Sequence, residues 1–321
     1  MSELLQFSTV QRWMSRLESK RKGSPSTRKV FLYYLGRFCY QVAKKTPDQL
    51  IAERKIHLQS DDEMIRRKHE EMAESYAKML RAEGASPNTA STAVATVRSF
   101  YRNNYYPLVE VSAPPPFALR HLKVPDKKEL RAICETKRVK KQHWLKTWIL
   151  AQAESGLANA DLLKLDLHSK WCHSIEFGFI GEQLKNHIVP LHLHIVREKT
   201  IASGLGWYDS FLGENAVDAL NQYRLLSRDQ GKIFDFASDR EVQIQVKKAG
   251  AEAGISSDDT PLTPYSFRKF FNTTLKVAGM NNDVVEFMMG HSLGRVKGAY
   301  FVPPVMDLRQ SYIKYYPKLK I

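Results

Sequence analysis

Three consecutive prolines, Pro114-Pro115-Pro116, interrupt a chain whose residues up to about 110 carry little but helical periodicity. Proline locks φ and lacks a backbone donor, so such a run cannot continue a helix and favours a stiff, extended connector. At 321 residues the chain also exceeds the usual size of one domain. The pattern predicts a helical unit over 1–110, a Pro-rich linker over 111–123 and a second domain over 124–321.

In the first unit, apolar residues recur at helical intervals over 28–44, 61–83 and 89–105. Ser24-Pro25-Ser26-Thr27 stands before Phe38 as Ser86-Pro87-Asn88-Thr89 stands before Phe100, and each copy reads as a Ser N-cap with Pro at the first helical position. Two well-capped helices account for this echo. The functional alternative is that Arg28 and Lys29, and Thr89, Arg98 and Arg102, meet phosphates with help from helix N-termini. Beyond the linker, 126–134 and 143–154 look helical. Ser174–Ile180, Ile188–Val196 and Gly206–Leu212 are strand-like, with Gly181–Asn186 as a polar turn between the first two. Helices resume near 215 and continue through 240–254, 266–278 and 282–289. The expected fold is mainly α with a small antiparallel β-sheet.

Charge narrows the partner. Lys and Arg number 49 against 34 Asp and Glu, a net +15 spread along the whole length, which suits a surface that tracks a polyanion. No segment approaches the ~20 apolar residues of a membrane span, and Met1-Ser2-Glu3 opens no signal-peptide pattern, so no membrane partner and a cytoplasmic location are expected. Cys39, Cys134 and Cys172 are odd in number and far apart; they read as buried thiols rather than disulfides or zinc ligands. His187, His192 and His194 read as strand-surface or packing histidines, since no carboxylate or cysteine nearby in sequence completes a metal set.

The chemistry concentrates near the C-terminus. Tyr265-Ser266-Phe267-Arg268 is followed by Gly290-His291-Ser292 and, nine residues after the histidine, by Tyr300. A guanidinium, an imidazole and a phenol supply a phosphate clamp, a proton handler and an oxygen nucleophile, the parts needed to open a DNA phosphodiester covalently. Order and spacing resemble the second half of the active site of tyrosine recombinases, the phage integrase family.

That resemblance covers residues 124 to about 305 and implies an all-α core-binding domain followed by an α+β catalytic domain. It implies Tyr300 as nucleophile, Arg268 and His291 as phosphate contacts, and Tyr265 at the first position of the family's His-x-x-Arg box, a mild departure because a phenol still donates a hydrogen bond. The family's hairpin lysine matches Lys199 in Arg197-Glu198-Lys199-Thr200, preferred over Lys185. The first clamp arginine belongs in Ser155-Gly156-Leu157-Ala158-Asn159-Ala160-Asp161-Leu162, which fits throughout except that Ala158 stands in the arginine's place. Loss of such a donor costs about 100- to 1,000-fold in rate, so impaired activity is expected. A deliberate exchange or natural divergence of the site both account for the alanine, and the intact surroundings favour the first.

The resemblance further implies a metal-free, cofactor-free site-specific recombinase that integrates or excises a mobile element. Such a protein acts on a double-stranded attachment site and self-associates to a dimer or tetramer on DNA, in a prokaryotic or virus-infected cell. The stretch from Arg197 to Val217 is similar to integrases of archaeal viruses and plasmids. A DNA-binding protein without catalysis, or a type IB topoisomerase, are the competing readings.

Overall fold

The computed structural model describes residues 2–19, 25–114, 122–196, 206–226, 231–235, 237–257, 260–294 and 301–321. The chain divides into two compact units, Met1–Leu119 and Arg120–Ile321.

The first unit is helical among its described residues: α1 (Ser8–Ser19), α2 (Pro25–Arg37) running into a π turn (Phe38–Ala43), α3 (Pro47–His57), α4 (Glu63–Ala82) and α5 (Pro87–Asn103). The sequence pattern foresees α2, α4 and α5 and leaves α1 and α3 unassigned. Local chemistry sets the ends. Thr46 and Gln49 form a reciprocal capping box at the start of α3, and the Ser86 hydroxyl accepts from the Thr89 amide at 3.1 Å at the start of α5. Ser24 of the parallel motif lies outside the described residues. Trp13, Phe38, Tyr76 and Phe100 fill the core. Arg54, buried within it, makes paired hydrogen bonds to Glu70 at 2.5 and 2.8 Å, the fork geometry that lets a charge pair leave water. Val111 and Ala113, expected in the linker, pack against this core.

The second unit is built around α8 (His143–Ser155). Leu145, Trp148, Ile149, Leu150, Ala151 and Ala153 are all buried, so this helix is apolar around its circumference and lies in the core. Before it come α6 (Lys127–Glu135) and α7 (Lys137–Lys141); after it come the short α9 (Asn159–Leu162) and α10 (Ile180–Lys185). Strands β1 (Leu191–Val196) and β2 (Trp207–Leu212) form an antiparallel pair in which Leu191 faces Leu212 and His194 faces Asp209. Helices α11 (Glu214–Leu226), α12 (Asp239–Glu252), α13 (Pro264–Val277), α14 (Asn282–Met288) and α15 (Val305–Leu319) complete it.

Two expectations are corrected by this unit. Ser174–Ile180 is no strand: Gly178 at φ +80° closes a tight turn bridged only between Ser174 and Gly178, so the sheet has two strands among the described residues. Gly181–Asn186 is no polar turn either, because Ile180 and Leu184 are buried on one face of α10. The three thiols are buried as expected, and burial pushes them up, Cys39 to about 12. No helix among the described residues is long and apolar enough to cross a membrane.

Candidate active site

Arg268 lies in the second turn of α13 with only 5% of its surface exposed. A guanidinium so placed must spend its donors on fixed acceptors. Nη1 donates to the Gly156 carbonyl at 2.7 Å, and Nη2 donates to the Met289 carbonyl and to His291 Nε2, each at 2.7 Å. One side chain therefore joins three segments far apart in sequence: the turn after α8, α13 itself, and the end of α14.

Each segment is shaped by its own residues. Gly156 caps α8 at φ +64°, and a Cβ there would lie 2.4 Å from the Phe271 ring, so the turn requires glycine on both counts. Ala158 comes next as the N-cap of α9; its carbonyl accepts from the Asp161 and Leu162 amides at 3.0 Å, while its methyl supplies no cap bond. Asp161 accepts from the Tyr208 hydroxyl of β2 at 2.9 Å, tying this turn to the strand pair. At the end of α14, Gly290 adopts φ +67°, its amide bonds the Phe287 carbonyl at 2.8 Å and the His291 amide bonds the Glu286 carbonyl at 3.0 Å, a Schellman termination that aims His291 back toward α13.

A carboxylate that the sequence reading passed over completes the cluster. Glu286 Oε2 meets His291 Nδ1, and Oε1 meets the Lys276 ammonium and, at 3.2 Å, the Asn272 amide. Burial works to raise this carboxyl, but the hydrogen bonds from Lys276, His291 and Asn272 prevail and hold it at about 2. The signal was present: Arg268, Asn272 and Lys276 recur every four residues, one face of α13, and Glu286 sits five residues before His291.

Of the other candidates, Tyr265, one turn before Arg268, is half exposed, with the Lys269 ammonium 5.7 Å from its ring centroid. Tyr300 and Lys199 lie outside the described residues. Lys185 ends α10 and is exposed. In the first unit, Lys29, Arg98 and Arg102 are exposed, Arg28 pairs with Glu18, and the Thr89 hydroxyl lies 2.9 Å from that of Ser86. Arg98 and Arg102 occupy the last two turns of α5, so assistance from a helix N-terminus is corrected for them: that end of the dipole is negative. His192 and His194 do meet a carboxylate, contrary to the sequence reading. Asp209 Oδ1 lies 3.0 Å from His192 Nε2 and 2.8 Å from His194 Nδ1, brought there by the strand register.

No protein-family model matches the chain, and no curated protein matches it by sequence. Solved structures do. A lambda integrase (75–356) dimer bound to a COC′ core site is similar with a TM-score of 0.60 at 13% identity, over 93% of this chain and 97% of that one. The Tn1549 transposon integrase (82–397) in complex with circular intermediate DNA gives 0.53 at 14% identity, over 96% and 99%. The chain thus has the fold of these integrases, the tyrosine-recombinase fold.

Proposed function

We propose that the chain is a site-specific DNA recombinase that cleaves and rejoins a double-stranded attachment site through a 3′-phosphotyrosine at Tyr300. What supports this reading most is the side-chain bond between Arg268 and His291, seated on the Gly156 carbonyl two residues from Ala158. Of the six positions matched by spacing and motif, Arg268 and His291 meet directly, and Ala158 lies two residues from the carbonyl that Arg268 binds. The solved integrases of like fold are bound to a core site in one case and to circular intermediate DNA in the other, and the net charge of +15 suits a nucleic-acid partner.

In this mechanism the Tyr300 phenolate attacks phosphorus, the 5′ oxygen leaves with a proton from Lys199, and a 5′ hydroxyl of another DNA end later displaces the tyrosine. Arg268 and His291 hold the non-bridging oxygens and Tyr265 assists. Ala158 leaves one oxygen without its cation, which costs about 100- to 1,000-fold. The helical unit serves as the core-binding domain, with Arg28, Lys29, Thr89, Arg98 and Arg102 toward phosphates, and the protein assembles to a dimer or tetramer on DNA. Integration or excision of a mobile element of an archaeal virus or plasmid is the biological setting this reading assigns.

Ala158 also favours a second reading, a DNA-binding protein that no longer cleaves. Ala158→Arg separates the two. Incubated with a nicked suicide duplex of its attachment site, the recombinase gains a covalent adduct that Tyr300→Phe abolishes. DNA binding without adduct in Ala158→Arg supports the second reading and defeats the first.

A further inference from the structure

His291 holds a defined proton arrangement, and its partners reveal it. A guanidinium only donates, so Nε2, 2.7 Å from Arg268 Nη2, carries no hydrogen and accepts. Glu286 is ionised at neutral pH and only accepts, so Nδ1 carries the hydrogen. The carboxylate is itself immobilised. Asn272 and Lys276 hold Oε1 from α13, leaving Oε2 to the ring, and the Glu286 carbonyl binds the His291 amide. An exposed Lys–Glu pair alone contributes little; here the pair leaves one oxygen directed at an imidazole.

We propose that Glu286 is a positioning residue: clamped by Asn272 and Lys276, it fixes the proton of His291 on Nδ1 and holds Nε2 toward Arg268. Its catalytic consequence rests on the recombinase reading. For His291 to donate to a phosphate oxygen, Nε2 must take up a proton from solvent; the ring then carries hydrogen on both nitrogens, and its positive charge faces the Glu286 carboxylate.

The first test needs no activity. In the full chain labelled with 15N-histidine at about pH 8, where an ordinary imidazole is neutral, the resonances absent from His291→Asn identify His291. They are expected to show the Nδ1-protonated tautomer with the Nδ1 proton shifted downfield by its bond to the carboxylate, and Glu286→Leu is expected to lose that downfield shift. A proton on Nε2 in the parent, or an unchanged pattern in folded Glu286→Leu, overturns the proposal. The second test uses the Ala158→Arg background. Glu286→Gln, which keeps shape and removes charge, is expected to slow single-turnover adduct formation about 10- to 100-fold with DNA affinity unchanged and Glu286→Asp partly restoring the rate. Parallel losses of rate and DNA affinity overturn the positioning role. If Ala158→Arg forms no adduct, the recombinase reading fails while the tautomer test still decides the role of Glu286.

Discussion

Gly156 shows how little latitude the site leaves a single residue. Its φ of +64° is disfavoured for a side chain with a Cβ, and the Cβ would strike the buried Phe271 ring. Gly156→Ala is therefore expected to destabilise the second unit by about 2 kcal/mol or more, read as a lower midpoint in urea. The Gly156 carbonyl also accepts from Arg268, so the same substitution is expected to displace the guanidinium. Arg268 itself was legible as a candidate site residue from its motif. That it is almost fully buried, with two backbone carbonyls among its acceptors, was not, because those carbonyls lie on the α8 turn and at the end of α14.

At the scale of elements, α15 packs against α8 of its own chain. Tyr312 is buried and its hydroxyl donates to the Glu154 carbonyl at 3.0 Å, while the Tyr316 hydroxyl lies 3.0 Å from Glu154 Oε1. Glu154, enclosed between α8 and α15, is pushed up by burial to about 8, against the hydrogen bonds it accepts from the Ala216 amide and Tyr316. A folded carboxyl raised in this way keeps a proton that the unfolded chain releases near ~4.3. Its effect on stability therefore worsens as pH rises from that value and levels off only above about 8. Glu154→Gln, a neutral mimic, is expected to flatten this decline and raise the melting temperature at pH 8 by several degrees, roughly 2–4 °C per kcal/mol. An unchanged alkaline decline in a pH series of melts counts against it. Glu286 behaves in the opposite sense: held at about 2, it contributes stability at neutral pH that is lost as pH falls toward that value.

For the whole molecule, the proposed reading makes the distributed positive charge set the salt dependence of DNA binding. Each phosphate contact contributes about −0.9 to the slope of log K against log salt. Arg98 and Arg102 are exposed one turn apart on α5. On the proposed reading, Arg98→Ala and Arg102→Ala each reduce that slope by about 1 without altering sequence preference. Titrations at several salt concentrations check this, and an unchanged slope removes α5 from the DNA surface.

The sequence by itself determined helices with strong 3.6-residue periodicity, α2, α4 and α5 among them, and two of the three expected strands, and it set Arg268 and His291 in one candidate motif whose members the fold brings together. These rest on signals confined to a few residues: periodicity, alternation, caps and motif spacing. The structure alone decided what meets across long separations. Glu286 reaches His291 because α14 ends in a Schellman turn against α13, Asp209 reaches two histidines because the strand register puts it there, and Glu154 loses its charge because α15 closes over it. A carboxylate's partner and protonation depend on the packing that surrounds it, and packing is a property of the assembled elements rather than of any one segment.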